Sequence, residues 1–205
     1  MSVVRALRGL RSWSVVLAVA VLLSGACSKE DTSDAKLASA ALAAGLKAHA
    51  AGRLEEAEAD YRKVLVYDPR NQFAYYNLGV IEQARGDGES AEANYRIALT
   101  IDPDFVEALF NLAILRTPQG GGRESIDLYR HVIEIDPSYA DAHLNLGFLL
   151  VANGEPKRRK AELAIAVELD PSLASRVPED LLASPAPQPN ASAGPQVSGS
   201  ATPAP

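Results

Sequence analysis

Asp-Pro occurs four times in this chain, at Asp68-Pro69, Asp102-Pro103, Asp136-Pro137 and Asp170-Pro171, and the spacing is 34 residues every time. Other columns keep the same phase. Gly52, Gly86, Gly120 and Gly154 form one, Ala40, Ala74, Ala108 and Ala142 another. Gly45, Gly79, Ala113 and Gly147 make a third, and Tyr61, Tyr95, Tyr129 and Leu163 a fourth. Asn77, Asn111 and Asn145 make a fifth, with Ala43 in the first copy. A fixed period with no insertions means that one small supersecondary unit is used in series. Each copy is too small to bury its own apolar face and needs a neighbour.

The unit is helical. Apolar residues make up 47% of the chain and aromatics only 6%, while Ala and Leu are frequent and lose little entropy in a helix. In the second copy, one helix is expected over Gln72–Ala84, with Tyr75, Leu78 and Gly79 on one face. Gly86 ends it, since glycine takes the left-handed conformation a tight turn needs. A second helix is expected from Glu89 to Ile101, with Ala91, Tyr95 and Ala98 inward. Pro103 closes it, because the residue before a proline is pushed out of helical geometry. Gly79 and Ala91 are small so that the two helices can approach closely. Tyr95 is expected to fill the gap towards the next copy.

A period of 34 with small residues, a tyrosine and a proline in these places resembles the tetratricopeptide repeat. The resemblance spans residues 38–171 and implies an all-α, right-handed superhelical solenoid of four repeats, over 38–71, 72–105, 106–139 and 140–173. Departures from the pattern carry their own expectations. Ala44 and Ala48 make the first repeat thin-cored. Pro118 and Gly120-Gly121-Gly122 predict a looser joint in the third. Arg159 stands where other repeats have Ala57, Ala91 and Ser125, so the start of the last helix is expected to be displaced or exposed. Val177, Leu181 and Leu182 suit a short capping helix within 174–183. Residues 184–205 carry no charge and six prolines, a composition that cannot build a core and is expected to be disordered.

The N-terminus reads as an address. Arg5, Arg8 and Arg11 precede an apolar run from Val15 to Leu23, then Ser24-Gly25-Ala26 and the chain's single cysteine, Cys27. This is the order of a secretory signal over 1–26. The run is about half of the ~20 residues a membrane-spanning helix needs. Leu23-Ser24-Gly25-Ala26-Cys27 resembles a lipobox, which implies diacylglyceryl modification of Cys27, with residues 27–37 as lipidated end and tether. Ser24 takes the place of the usual bulky aliphatic residue, and Ser24-x-Ala26 also fits ordinary small-x-small cleavage, which would leave Cys27 free. Ser28 after the cysteine, rather than Asp, implies by the same resemblance the outer membrane, facing the periplasm.

In the repeat family, the first helix of each repeat lines a concave face that holds peptides or helices. Mapped by column, that face comprises Phe73, Tyr76, Asn77 and Val80, then Phe110, Asn111 and Ile114, then Leu144, Asn145 and Phe148, with Leu42, Leu46 and His49 from the first repeat. Leu42, Tyr76, Phe110 and Leu144 occupy the places where carboxylate-gripping relatives carry Lys and Arg. The expected ligand is therefore a protein segment that buries apolar side chains while Asn amides bond its backbone. On this reading Tyr76→Asp with Phe110→Asp abolishes partner capture and leaves helicity intact.

The remaining chemistry is sparse. Net charge is −6, and without the first 26 residues 17 basic residues face 26 acidic ones, so a phosphate backbone is repelled and nucleic acid is not an expected partner. No phosphate-cradling loop, HExxH or nucleophile elbow occurs. One cysteine and three dispersed histidines make no metal site, and His143 falls on a packing face. No catalysis, cofactor or small-molecule substrate is expected. Lys157-Arg158-Arg159-Lys160 is the one dense basic run, suited to anionic headgroups or an acidic partner, or simply a solvated face. The expected role is a lipid-anchored adaptor in a bacterial envelope assembly or secretion system. The alternatives are a self-associating structural protein and a regulatory subunit of an envelope enzyme.

Overall fold

The computed structural model describes residues 32–152 and 154–179. Cys27, the signal-like segment before it and the tail from 180 onward lie outside the described residues. Every regular element among the described residues is helical, and the chain divides into two compact units at Pro137 and Ser138.

The first unit holds α1 (32–50), α2 (Leu54–Tyr67), α3 (Gln72–Ala84), α4 (Gly88–Ile101), α5 (Val106–Arg116) and α6 (Gly122–Ile135). The second holds α7 (Ala140–Ala152), α8 (Pro156–Leu169) and a 3₁₀ turn over Pro171–Arg176. The second helices begin at Leu54, Gly88, Gly122 and Pro156, so the 34-residue register is kept at all four. Arg159 therefore does not displace α8. Its side chain is half-buried instead, with Nε enclosed and without a hydrogen-bond partner. The first helix is already present at residue 32.

The Asp-Pro pairs do more than end helices. The Asp68 carboxylate accepts from the Arg70 N–H at 3.2 Å and from Asn71 Nδ2 at 2.9 Å. Asp102 accepts from the Asp104 N–H at 3.2 Å and Asp170 from the Ser172 N–H at 2.9 Å. An aspartate thus satisfies the backbone two residues on, where the chain turns into the next element. Asn71 then caps α3 by accepting from the Ala74 N–H, and Asp87 caps α4 through the Ser90 N–H.

Between paired helices the turn is fixed by a left-handed glycine, as at Gly86 (φ +82°) and Gly120 (φ +83°). α5 ends at Arg116, because Pro118 has no N–H to continue the ladder. The turn is nevertheless closed by Gly121 N–H bonding to the Arg116 carbonyl at 3.0 Å, so the third joint repeats the others rather than being remodelled.

The core of the first unit is a series of aromatic rings set into notches. A Cβ on Gly45 would stand 2.7 Å from Tyr61 Cε1, and one on Gly79 2.8 Å from Tyr95 Cε1. Tyr61, Tyr95 and Tyr129 are all buried. Burial, with the Asp60 charge, pushes the Tyr61 phenol up to about 12. Tyr95 also packs with Leu112 of the next repeat and donates to Gln83 Oε1 at 2.7 Å. In the second unit Leu163 fills the notch at Gly147, and it shares a core with Leu144, Ala166, Leu173 and Val177. The cap expected near Pro178 is preceded by the 3₁₀ turn, which supplies Leu173; Leu181 and Leu182 lie outside the described residues.

Charged side chains link successive repeats. Arg116 of α5 reaches Glu92 of α4 at 3.2 Å and Glu124 of α6 at 2.9 Å, while Arg96 of α4 joins the same two carboxylates. Arg85 pairs with Glu58 in the same way one repeat earlier. Burial raises the Glu124 pKa, but the hydrogen bonds from Arg96 and Arg116 outweigh it and hold the group below its ordinary 4.5.

Two outcomes are expected. Gly79→Ala should destabilise the protein by about 1–3 kcal/mol through overpacking against Tyr95, read from the midpoint of urea unfolding. Glu124→Gln should cost roughly 0.5–1 kcal/mol at neutral pH, given its partial exposure. A lowered folded pKa stabilises above the unfolded value and is lost as pH falls through the folded one. The difference between wild type and Glu124→Gln should therefore shrink as pH falls below about 4.5 in a pH series of unfolding curves.

Candidate protein-binding face

Two columns of the first helices run beside each other, and the structure gives them different work. The inner column, Leu42, Tyr76 and Phe110 in the first unit, lies on the packing seam. Leu42 packs against the first repeat's core. Tyr76 is held between Tyr95 (ring centroids 6.0 Å) and Phe105 (5.1 Å). Phe110 meets Tyr129 edge-on at 5.7 Å. All three remain half-buried rather than open.

The outer column is Leu46, Val80 and Ile114. Leu46 is 48% and Ile114 38% exposed, with Val80 half-buried. Phe73 joins this side at 46% exposure, its edge against Phe105 at 5.4 Å. These residues form an apolar side of the first unit, with Val80 also packed against the Ala91, Tyr95 and Leu112 core. In the second unit Phe148, of the same column, is exposed on α7 and Asn145 is half-buried.

Three expectations need correction. Leu144 is fully buried in the second unit's own core, because Leu173 and Val177 fold back over it, so it offers nothing to a ligand. His49 is turned inward, its Nδ1 3.3 Å from the Tyr61 hydroxyl. The Asn amides are partly spent. Asn77 Nδ2 donates to the Phe73 carbonyl at 2.7 Å, and Asn111 Nδ2 donates to the Tyr76 hydroxyl at 3.2 Å. Each keeps for a ligand its second amide N–H and its carbonyl oxygen, the latter an acceptor for a backbone N–H. His143, expected on a packing face, is buried with Nδ1 2.7 Å from Glu162 Oε2.

Phe105 is the residue that sequence reasoning missed. It follows the Asp-Pro turn, is buried, and backs both Phe73 and Tyr76. Its position two after Pro103 was the available signal. A separate open cleft of about 620 Å³ is lined by Arg116, Gly121, Glu124 and His131 among others. Its Arg116 is bound by Glu92 and Glu124, and His131 meets Asp104 at 2.9 Å.

Residues 74–105 match the family model of the tetratricopeptide repeat, and residues 123–154 match a second model, described as TPR repeat. The chain carries tetratricopeptide repeats. No curated protein matches it in sequence. Among solved structures, it is similar to pilF of Pseudomonas aeruginosa at 25% identity and a TM-score of 0.63, over 73% of this chain and 69% of that one. It is similar to MamA at 20% identity and a TM-score of 0.60, over 72% of this chain and 86% of that one. YrrB, described as a TPR protein with an unusual peptide-binding site, aligns at 22% identity and a TM-score of 0.57, over 79% of this chain and 88% of that one. The last two likenesses show the fold.

The difference between the columns is measurable. Ile114→Asp should change stability by no more than about 1 kcal/mol, as surface changes do. Tyr76→Asp should lose about 3 kcal/mol, because it removes a packed ring and places a carboxylate among aromatics. Thermal unfolding followed by circular dichroism distinguishes the two.

Proposed function

We propose that this tetratricopeptide-repeat protein is a non-catalytic adaptor, and that the apolar face of α1, α3 and α5 is where it holds its protein partner. The observation that carries the reading is the exposed set Leu46, Phe73 and Ile114, with the half-buried Val80 in the same column as Leu46 and Ile114. One apolar side chain per repeat, at a spacing of 34 residues, is left on a rigid surface. A contiguous apolar patch on a folded protein marks an interaction site more often than chance exposure does. A segment that places apolar side chains at matching intervals would bury them here, its backbone N–H groups meeting the Asn77 and Asn111 carbonyl oxygens. The peptide-binding site named for YrrB, a protein of similar fold, supports this assignment.

The cellular setting follows from the N-terminal segment. The lipobox-like Leu23–Cys27 supports a lipid anchor on Cys27, and Ser28 supports the outer membrane of a two-membrane bacterium, with the repeats in the periplasm. Two or three acyl chains, at ~0.8 kcal/mol per buried CH₂, hold a protein on a bilayer stably. The adaptor would then serve an envelope assembly or secretion system.

Phe73→Asp with Ile114→Asp should remove the dominant partner from crosslinking in the native envelope while the thermal melt stays near wild type. A partner crosslinked at wild-type yield by this variant would show that the face is not the binding site. Cys27→Ser should abolish incorporation of labelled palmitate and move the protein from the membrane to the soluble fraction. Unaltered fractionation would remove the lipid anchor from the reading.

A further inference from the structure

The first turns of the second helices change sign along the chain. α2 opens with Glu55 and Glu56, and α4 carries Glu89 in the same turn. These are the places where a carboxylate favours a helix, facing the positive end of its dipole. In α8 the same places hold Lys157 and Arg158, followed by Arg159 and Lys160. Lys157 occupies the column of Glu55 and Glu89, and Arg158 the column of Glu56.

This basic turn works against its own helix. Cations at a helix N-terminus oppose the dipole, and Glu155, at the N-cap, makes no side-chain cap bond. Arg158 is 65% exposed and pairs with Glu155 at 3.0 Å. Lys157 is exposed and pairs with no carboxylate among the described residues. Lys157 and Arg158, with Glu155 and Pro156, line an open hollow of about 370 Å³. Both cations are exposed, a basic collar that suits another surface.

The acidic counterpart is on the same chain. Glu55 is 88% and Glu56 56% exposed, and their partners are a long contact to Arg85 (3.4 Å) and an exposed pair with Arg53. Pairing between successive second helices is also a contact the fold already makes, since Arg96 of α4 reaches Glu124 of α6 at 2.5 Å. We propose that a second copy of this chain docks head to tail, the basic first turn of α8 in one copy set against Glu55 and Glu56 of α2 in the next. Lys157 and Arg158 stand in the same two sequence columns as Glu55 and Glu56. Such a contact uses different surfaces on the two copies. It therefore extends into a series unless the rotation closes a ring.

The test is sedimentation velocity on the full chain. Wild type should form a concentration-dependent series at low salt and revert towards monomer near about 0.5 M salt, where the Debye length is only a few ångströms. Lys157→Glu with Arg158→Glu should weaken association about tenfold or more. It should not unfold α8, since it restores the sign found in α2 and α4, and circular dichroism checks this. Glu55→Lys with Glu56→Lys should weaken it likewise. An equimolar mixture of the two variants should associate again, since each now offers the other an opposite charge. Wild type monomeric at all concentrations, or association unchanged by both variants, would overturn the proposal. It would also be overturned if wild type stayed monomeric but bound phosphatidylglycerol vesicles through Lys157 and Arg158, for the collar would then belong to the lipid surface.

Discussion

A tyrosine ring seated against a missing side chain is the contact on which the repeats depend. At Gly79 the approach of Tyr95 leaves no room for a single methyl group, and Gly45 and Tyr61 make the same arrangement one repeat earlier. The ring brings two helices close, and its far side reaches Leu112 of the following repeat. Packing within a repeat and packing between repeats are thus properties of one residue. Neither helix pair would hold its geometry alone, since isolated helices of this length are marginal in water. The protein interior tolerates neither voids nor crowding at such a point, so the spacing of the first helices is fixed, and with it the spacing of what they display.

That fixed spacing is what turns side chains into a surface. Tyr76 and Phe110 are drawn inward by Tyr95, Phe105 and Tyr129, whereas Leu46 and Ile114, four residues further along their helices, stay outside. One turn of helix separates the column that builds the scaffold from the column that remains available. Arg85, Arg96 and Arg116 add ion pairs that bridge carboxylates of neighbouring helices. The apolar residues are therefore backed by aromatics on a scaffold that ion pairs also tie together.

Much of this was readable from period and residue type. Every second helix starts in a register that the Asp-Pro spacing announces, and the Gly and Tyr columns mark where helices approach and where a ring fills space, while the seating of Tyr95 on Gly79 itself is a finding of the structure. What escaped the columns is environment. Leu144 shares a column with Tyr76 and Phe110, but the 3₁₀ turn brings Leu173 and Val177 over it. His49 occupies a face position in sequence and bonds inward because the Tyr61 hydroxyl is the nearest polar group. Arg159 was expected to disturb its helix; a flexible side chain absorbed the conflict where the backbone did not. Equivalent positions share a backbone but not neighbours, and ends of an array have the fewest neighbours in common with its middle.

The second helices all start 34 residues apart, and their connecting turns have the same glycine hinge. An array assembled this way has no preferred number of steps. A gene that duplicated or lost one whole segment would still encode matching surfaces at the new junction, so the reach of the molecule can be tuned in evolution without redesigning any interface. A shift by any other number of residues would set ring against methyl instead of ring against hollow.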